Sequence, residues 1–320
     1  MRILVTGGAG FIGSHLVEQL LKKGHKVVVI DDLSNGKMNN LETIMSSYEN
    51  ISLLKGSILN RELVDKLIKD CDAVYHLAAV LGVKNTVENP LKVIDGCILG
   101  TRNILESAYL NKVKVIFSST SEIYGKNDVL PFKEDSNRVL GPPQTNRWCY
   151  ATAKALDEHL CFAYSDMGLP VTIVRFFNTY GPRQTSSQYG GVIPKFIVAA
   201  LNNEVITVYG DGTQTRCFTF INDTIDAILP CLDDSANGHV FNVGSNERIS
   251  VYELACLIKK LTNSSSEIVK IPYDEAYGKG YEDMQDREPD ISKARNMLNY
   301  SPSVNLTAGL TETINWYRNI

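Results

Sequence analysis

A strand, a glycine-rich turn, a helix and a second strand follow one another within the first 31 residues, and this succession constrains the fold most. Residues 2–6 form a short apolar run, and the turn GGAGFIG (7–13) follows directly. Apolar residues at helical spacing over 12–22 predict a helix that ends at Gly24, and residues 26–30 predict the second strand. This arrangement is a βαβ unit, in which the two strands run parallel.

The same alternation continues as far as residue 175. Apolar strands at 51–54, 73–77, 113–118 and 171–175 are typical of a parallel sheet that is covered by helices on both faces. We therefore predict an α/β fold, with a Rossmann-type doubly wound parallel sheet and a smaller, partly interleaved C-terminal α/β domain. The predicted domain boundaries are 1–177 plus roughly 220–245 for the first domain, and 178–219 with 246–320 for the second.

Composition and charge exclude several classes of protein. Hydrophobic residues make up 44% and charged residues 21% of the chain, which excludes disordered, collagenous and low-complexity proteins. The net charge of −4 gives no electrostatic reason to expect a nucleic-acid partner. The sequence has no apolar run near the roughly 18 residues of a membrane span. Its seven cysteines are scattered singly, which predicts reduced thiols, a cytoplasmic protein and no metal site.

The spacing of Gly7, Gly10 and Gly13 favours a phosphate-binding turn. Glycine permits a tight turn and a close approach to a pyrophosphate, and the following helix presents free N–H groups to it. Asp31 ends the second strand, where a carboxylate accepts hydrogen bonds from the adenosine ribose and repels a 2′-phosphate. NAD is therefore favoured over NADP, and Asp32 is a second carboxylate beside the ribose.

Tyr150 and Lys154 stand four residues apart at the start of a predicted helix, and therefore on one face. A nearby ammonium lowers the pKa of a tyrosine, which lets the phenol act as a general base. The segment SSTSE (118–122) follows the fifth strand, at the sheet edge where ligands bind. Glu122 is either an acid or base of the reaction or a cap of the next segment.

The chain resembles the extended short-chain dehydrogenases/reductases, specifically the NAD-dependent nucleotide-sugar epimerases, dehydratases and decarboxylases. The motifs that carry this resemblance are GGAGFIGSHL (7–16), DDLSNGK (31–37), HLAA (76–79), SSTSEIYG (118–125), YATAK (150–154), RFFNTYGPRQ (175–184), VYGDGTQTR (208–216) and REPDISKA (287–294).

The resemblance implies a bound NAD and a UDP-sugar substrate that lies across the C-terminal domain. Tyr150 would remove the proton of the sugar 4-OH while the C4 hydride passes to NAD. Lys154 would hold the nicotinamide ribose, and Thr120 would bind the 4-oxygen. Asn178 and Arg216 would contact the diphosphate.

The resemblance also implies the wider sets of contact residues. The catalytic residues are Thr120, Glu122, Tyr150 and Lys154. The cofactor-binding residues are Gly7, Gly10, Phe11, Ile12, Gly13, Asp31, Asp32, Asn35, Gly36, Ser57, Ile58, Leu77, Ala78, Ala79, Tyr150 and Lys154. The substrate-binding residues are Thr120, Arg147, Asn178, Val192, Lys195, Tyr209, Arg216 and Arg287.

Three positions depart from the pattern of these families. Ser57 stands where an acidic residue usually lies near the adenine, so this contact would fall to the backbone and Ile58. Cys97 replaces a frequent asparagine near the nicotinamide, and Cys217 replaces a frequent aspartate.

Two features favour one reaction within the family. Glu122 follows Thr120-Ser121, and Arg147 stands three residues before Tyr150, with Arg287 in REPDI. The glutamate resembles both the UDP-glucuronate decarboxylases and the GDP-mannose 4,6-dehydratases, whereas the arginine pair is similar to the bacterial UDP-glucuronate decarboxylases. An arginine set suits a substrate with its own carboxylate. The leading hypothesis is decarboxylation of a UDP-hexuronic acid, of the UDP-glucuronate to UDP-xylose type.

Other activities stay open. The main alternative is a UDP-sugar 4-epimerase of UDP-glucose, a UDP-N-acetylhexosamine or UDP-glucuronate, and behind it stand a 4,6-dehydratase and a non-catalytic NAD-binding scaffold. The resemblance also implies a homodimer, formed by the helices near 91–111 and 150–167. Its contacts would come from Ala151, Ala155, Leu156, Leu160 and Ala163, unless these residues face only their own sheet.

Overall fold

Seven parallel strands form the main sheet in the computed structural model of the chain, which describes residues 1–80, 89–185, 191–277 and 284–320. The strands are β1 (Arg2–Thr6), β2 (Lys26–Asp31), β3 (Ile51–Lys55), β4 (Ala73–His76), β5 (Lys114–Thr120), β6 (Val171–Phe176) and β11 (Val240–Val243). Their order across the sheet is β3-β2-β1-β4-β5-β6-β11, and every neighbouring pair is parallel. This is the doubly wound order, so the predicted fold class is confirmed.

Helices connect these strands and cover the sheet. The α-helices are α1 (Phe11–Lys22), α2 (Asn39–Ser47), α3 (Arg61–Ile68), α4 (Pro90–Asn111), α5 (Cys149–Asp166), α6 (Val192–Leu201), α7 (Ile221–Ile228), α8 (Val251–Thr262), α9 (Tyr273–Tyr277), α10 (Ser292–Leu298) and α11 (Leu306–Arg318). Short 3₁₀ turns span Ser121–Tyr124, Asn146–Trp148, Leu229–Leu232 and Asp234–Ala236.

The apolar strands bury both of their faces, as their composition predicts. Successive side chains of a strand point to opposite faces of a sheet. Ile3 and Val5 accordingly join one apolar cluster, whereas Leu4 joins the cluster on the opposite face. The two layers of helices therefore pack on the sheet from both sides.

The remaining strands form three small sheets. They pair β7 (Thr179–Tyr180) with β10 (Thr219–Phe220), and β8 (Ile206–Tyr209) with β13 (Ile268–Ile271). The third sheet places β9 (Thr215–Cys217) between β12 (Arg248–Ser250) and β14 (Asp286–Arg287). The pairing of β11 with β6 brings the chain back to the main sheet between these small sheets. The division of the chain into two domains remains a prediction.

Two further features bear on the predictions from composition. In the part of the chain that the structure describes, no helix is long and apolar enough to cross a membrane. All seven cysteines are free thiols.

A buried ion pair joins the end of the main sheet to α5. The guanidinium of Arg175 on β6 donates two parallel hydrogen bonds to Glu158 on α5, from Nε at 2.9 Å and from Nη2 at 2.7 Å. Arg175 is 7% exposed and Glu158 is 4% exposed. The hydroxyl of Ser119 on β5 donates a further bond to Glu158 at 2.5 Å. Glu158 therefore ties β5 and β6 to the helix that carries Tyr150 and Lys154.

The same guanidinium also binds the turn after β5 and the loop that follows it. Its Nη1 donates to the hydroxyl of Tyr124 at 2.8 Å and to the carbonyl oxygen of Glu134 at 2.7 Å. The Tyr124 hydroxyl in turn donates to Asn242 on β11 at 2.7 Å, and the Asn242 amide donates to the carbonyl oxygen of Phe132. One network thus fixes three strands, a helix and a loop around the carboxyl end of β5.

Replacing Arg175 with Met is expected to lower the free energy of unfolding by about 3–5 kcal/mol, because it leaves the Glu158 carboxylate buried and uncompensated. The measurement is urea denaturation followed by circular dichroism. Arg102→Met is the matched control, since Arg102 pairs with Glu106 at 2.7 Å but its side chain is 63% exposed. We expect that control to lose less than about 1 kcal/mol. Equal losses in the two variants would contradict the assignment.

Candidate active site

A cavity of about 580 Å³ opens at the carboxyl ends of the central strands. All of the predicted cofactor-binding residues except Lys154 line it. The residues in its wall that were not predicted as cofactor contacts are Ile30, Ser34, Gly56, Leu59, Val80, Lys92, Asp95, Gly96, Ser118, Ser119 and Phe176. The cavity thus lies at the edge where parallel sheets bind their ligands.

The glycine turn fits closely against its surroundings. A methyl group on Gly13 would lie 2.1 Å from the carbonyl oxygen of Gly7, so no side chain fits there. Gly7 has a φ of +72°, and a methyl group on it would lie 3.0 Å from the backbone nitrogen of Ala78. No side chain caps the N-terminus of α1 with a hydrogen bond. The turn and the helix end therefore offer backbone N–H groups and space, which fits a pyrophosphate.

Asp31 lies at the end of β2 with both carboxylate oxygens held by backbone. Its Oδ2 accepts from the N–H of Ala9 at 2.9 Å, and its Oδ1 accepts from the N–H of Leu33 at 2.8 Å. A methyl group on Gly36 would lie 2.8 Å from Oδ1, so glycine leaves the carboxylate uncovered. Burial raises the pKa of Asp31, while these hydrogen bonds oppose the rise. Because each oxygen keeps an accepting lone pair, Asp31 fits a ribose diol.

Asp32 takes a different position. Its Oδ1 accepts from the N–H of Ser34 at 2.9 Å, so this carboxylate stabilises the turn after β2. It still lines the cavity.

Tyr150 and Lys154 lie in the first turns of α5, next to the cavity. Tyr150 lines the cavity, and burial raises its pKa well above 10, with further contributions from Cys97, Glu122 and Asp157. The ammonium of Lys154 lies 3.5 Å from Oδ2 of Asp157 and 3.8 Å from the centre of the Phe117 ring. The raised pKa differs from the expected lowering by Lys154, because in this arrangement burial and nearby acidic groups dominate.

Thr120 and Glu122 lie at the end of β5 and in the turn after it. The hydroxyl of Thr120 accepts from the N–H of Glu122 at 3.2 Å and so caps the 3₁₀ turn. The Glu122 carboxylate binds Arg147 Nη1 at 2.5 Å and Arg287 Nη2 at 3.3 Å. Glu122 therefore does not cap the turn with its side chain but pairs with arginines.

The charges around Glu122 determine its protonation. Burial favours the neutral acid, but the guanidinium groups of Arg147, Arg287 and Arg216 outweigh it and lower the pKa of Glu122 to about 2. Glu122 is thus an anion at neutral pH, able to accept a proton but not to donate one. Arg147 and Arg287 both contact Glu122, and the charge of Arg216 also acts on it, so several buried guanidinium groups are concentrated at the end of β5.

Arg216 and Asn178 both donate hydrogen bonds to backbone carbonyl groups. Arg216 lies opposite Arg287 in the β9–β14 pair. Its Nη2 donates to the carbonyl oxygen of Met284 at 2.8 Å, and its Nη1 donates to those of Thr215 and Gln285. Asn178 has a φ of +40°, and its amide donates to the carbonyl oxygen of Cys217 at 3.1 Å.

The other predicted substrate residues lie on neighbouring elements. Val192 and Lys195 lie in the first turns of α6, and Tyr209 ends β8. Burial lowers the pKa of Lys195. Of the predicted substrate residues, the structure thus brings Arg147, Arg216 and Arg287 together around Glu122, and their roles remain predictions.

The three positions that depart from the family pattern lie in different surroundings. Ser57 lines the cavity together with Ile58, and their contact with the adenine remains a prediction. Cys97 is 1% exposed and belongs to an apolar cluster against which Tyr150 packs. Cys217 is fully buried.

Some lining residues had a signal in the sequence. Phe176 ends β6, so the rule that placed Ser118 and Ser119 at the sheet edge would also have found Phe176. Lys92 and Asp95 are three residues apart on α4 and therefore share a face.

The fold and this site together define an extended short-chain dehydrogenase/reductase, as the motifs predicted. The family model described as GDP-mannose 4,6 dehydratase matches residues 4–313, and the chain belongs to this family.

Several relatives match almost the whole chain. A UDP-N-acetyl-alpha-D-glucosaminuronate decarboxylase of Bacillus cytotoxicus is 47% identical over 319 residues, which cover 100% of this chain and 98% of the relative. The UDP-glucuronic acid decarboxylase 1 of Xenopus tropicalis is 36% identical, and the match covers 99% of this chain and 72% of that relative.

Solved structures agree with this assignment. The UDP-glucuronic acid 4-epimerase of Bacillus cereus, in complex with UDP-glucuronic acid and NAD, superposes with a TM-score of 0.89 at 32% identity. The match covers 100% of this chain and 99% of the epimerase.

Replacing Gly13 with Ala is expected to weaken NAD binding at least about tenfold, because the added methyl group displaces the turn that faces the cavity. The measurement is isothermal titration calorimetry with NAD. Gly191→Ala serves as the control, since its methyl group would lie 3.6 Å from the nearest neighbour, Gln184 Nε2, which is an ordinary contact. An unchanged affinity in the Gly13 variant would refute a phosphate site at this turn.

Proposed function

We propose that the chain is an NAD-dependent UDP-hexuronate decarboxylase. The observation that carries the proposal is the pairing of Glu122 with Arg147 and Arg287 next to the end of β5. Both arginines are at most 6% exposed, so their charges act in a weakly screened environment. A sugar with its own carboxylate is a fitting partner for this cluster. The relatives named as decarboxylases support the same activity.

Bound NAD would supply the hydride transfer at C4 of the sugar in both directions, so the reaction would have no net redox change, and the residues that line the cavity would hold it. Tyr150 takes the proton of the 4-hydroxyl on its phenolic oxygen and gives it back at the end. Lys154 follows Tyr150 by one helical turn and supports it through its charge. Thr120 hydrogen-bonds the 4-oxygen.

The decarboxylation step depends on the position of the ketone. Oxidation at C4 creates a ketone β to the C6 carboxylate, so the C5–C6 bond breaks and its electron pair moves onto the 4-oxygen. CO₂ leaves, and the enolate is stabilised by hydrogen bonds from Thr120 and Tyr150. A proton taken up from solvent at C5 restores the ketone, and hydride return at C4 with the proton held by Tyr150 gives a 4-hydroxy pentose. Arg147 and Arg287 orient the departing carboxylate, and Glu122 holds the two guanidinium groups in place by pairing with both.

The second candidate function is epimerisation at C4. It is favoured by the close superposition with an epimerase whose substrate is also a uronic acid. An epimerase rotates the 4-keto sugar and returns the hydride to its other face without losing CO₂. The two functions share the oxidation at C4 and differ only in the fate of the 4-keto sugar.

Among hexuronates, we propose an N-acetylated substrate as the first choice. The relative with 47% identity over the whole chain is named for UDP-N-acetylglucosaminuronate, and that with 36% identity for UDP-glucuronate. We also propose that the smaller sheets hold the UDP moiety, with Asn178, Val192, Lys195, Tyr209 and Arg216 as contacts. The free cysteines support a reducing, cytoplasmic environment.

The test is a product assay by proton NMR with NAD present and with UDP-N-acetylglucosaminuronate, UDP-glucuronate or UDP-glucose supplied separately. We expect a pentose product and CO₂ from a uronate and no turnover of UDP-glucose. Tyr150→Phe should lower turnover by about 10²-fold or more, because it removes the group that accepts the proton. A C4 epimer without CO₂ would replace the proposal with epimerisation. Full turnover by Tyr150→Phe would remove Tyr150 from the mechanism.

We further propose that the protein forms a homodimer through α4 and α5. Exposed apolar side chains on these helices support it, namely Leu99 at 51%, Leu156 at 44% and Phe162 at 39% exposure. Of the residues that the resemblance suggested, Leu156 and Ala163 are exposed and Leu160 is partly exposed. Ala151 and Ala155 are buried within their own chain, so they give this interface no support.

Leu156→Glu is expected to convert the dimer into a monomer, because it places a charge in an apolar interface. The measurement is light scattering coupled to size exclusion. Val205→Glu is the control, since Val205 is 50% exposed and lies outside α4 and α5. A dimeric Leu156 variant would exclude this interface.

A further inference from the structure

A third ionisable side chain lies on the face of α5 that carries Tyr150 and Lys154. Asp157 follows Tyr150 by seven residues and Lys154 by three, and residues at these spacings share one face of a helix. The side chain of Asp157 is 0% exposed. Aspartate is almost never fully buried unless it is paired, so its position needs an explanation.

The surroundings of Asp157 satisfy it only in part. Its Oδ2 lies 3.5 Å from the Nζ of Lys154, which is itself 2% exposed. Neither carboxylate oxygen has a hydrogen-bond partner among the described residues. The hydroxyl of Thr101 on α4 lies close enough to Asp157 to oppose the rise of its pKa, second to Lys154, and it also forms a hydrogen bond with His76 Nε2 at 3.2 Å. The ammonium is therefore the principal partner of a carboxylate that no step of the proposed reaction uses.

An unshared contact with Lys154 has two physical consequences. The carboxylate attracts the ammonium toward the second and third turns of α5 and fixes where this flexible side chain ends. Its negative charge also offsets part of the positive charge that Lys154 presents to Tyr150. Tyr150 lies about 10 Å from Asp157 along the helix axis, at 1.5 Å per residue. Both effects act through Lys154 and not on a substrate.

We propose that Asp157 is a positioning residue that holds the Lys154 ammonium and moderates the field that this ammonium exerts on the Tyr150 phenol. The proposal rests on the assignment of Tyr150 and Lys154 as the catalytic pair in the proposed function. It goes beyond that assignment by giving the pair a third member from the same helix face.

The groups around the phenol determine the direction of the expected effect. Tyr150 interacts with Asp157 from α5, with the thiol of Cys97 from α4 and with Glu122 from the turn after β5, and Lys154 follows it by one helical turn on α5. Asp157 and Glu122 are among the groups that raise the pKa of Tyr150. Removing the charge of Asp157 takes away one of the contributions that raise the pKa of Tyr150. It also leaves the positive charge of Lys154 without a nearby negative charge to offset it, so both changes lower the pKa of the phenol.

Other ionisable groups surround Asp157 itself. Glu158 and Cys161 lie on α5, Cys97 lies on α4, and His76 on β4 lies next to Lys154. Burial lowers the pKa of His76 to about 3, so this imidazole is neutral at the pH of the assay and adds no charge. Lys154 is therefore the cation whose charge most opposes the effect of burial on the pKa of Asp157.

The test replaces Asp157 with Asn, which keeps the shape of the side chain and removes its charge. We expect the acid limb of the pH profile of kcat/KM to move about 0.5–1 pH unit lower. The same shift is expected without substrate, in the near-ultraviolet titration of tyrosine ionisation in the NAD-loaded protein. Subtracting the titration of the Tyr150→Phe protein isolates the signal of Tyr150.

Asp166→Asn is the matched control, because Asp166 ends the same helix and is exposed. It should leave both titrations unchanged. An Asp157→Asn protein that is folded and shows no shift, or an upward shift, would overturn the proposal. If this variant does not fold, Asp157→Ser carries the same expectation and is decided by the same titrations.

The outcomes for the two proposals are separable. A downward shift in the titration without substrate supports the role of Asp157 even if no uronate is decarboxylated. Decarboxylation with unshifted titrations would keep the proposed function and reject the role of Asp157.

Discussion

The buried charge of Arg175 is the constraint on which the rest of the site depends. A guanidinium group in the interior has to be paired and fully hydrogen-bonded. Glu158, Tyr124 and the carbonyl oxygen of Glu134 supply the partners of this one. These partners come from a helix, a turn and a loop, so the hydrogen bonds of Arg175 fix where β5 ends relative to α5. They therefore also fix the distance between the turn after β5 and Tyr150 on α5.

Two carboxylates near the cavity show how the number of cations determines protonation. Several guanidinium groups surround Glu122, and their charges lower its pKa to about 2 despite burial. Asp157 has one ammonium at 3.5 Å, and burial raises its pKa in spite of that ion pair. One carboxylate, Glu122, therefore stays ionised at neutral pH, whereas the other, Asp157, is held closer to its neutral form. The difference comes from the arginines that β14 and the Asn146–Trp148 turn contribute.

Local sequence patterns predicted the parts of the site that lie within one βαβ unit or one helix. The glycine turn, Asp31 and the Tyr150–Lys154 pair follow from spacing, and the structure places them at one edge of the sheet. Asp157 had the same signal, since it continues the spacing by one more turn. The partners of Arg175 had none, because Asn242 joins its network through Tyr124 from far along the chain. The raised pKa of Tyr150 could not be predicted from the sequence either, because it depends on burial and on charges from three elements.

The late arrival of β11 has a consequence for how the chain is made. The outer edge of β6 has the sequence VTIVRF and stays without its neighbour until residues 240–243 have been synthesised and have docked beside it. An apolar strand with an open edge is a template for pairing with other chains. The ribosome must therefore release more than sixty further residues before this edge is closed. The nascent protein is most vulnerable to aggregation during that interval, and a fragment that stops before β11 would remain so.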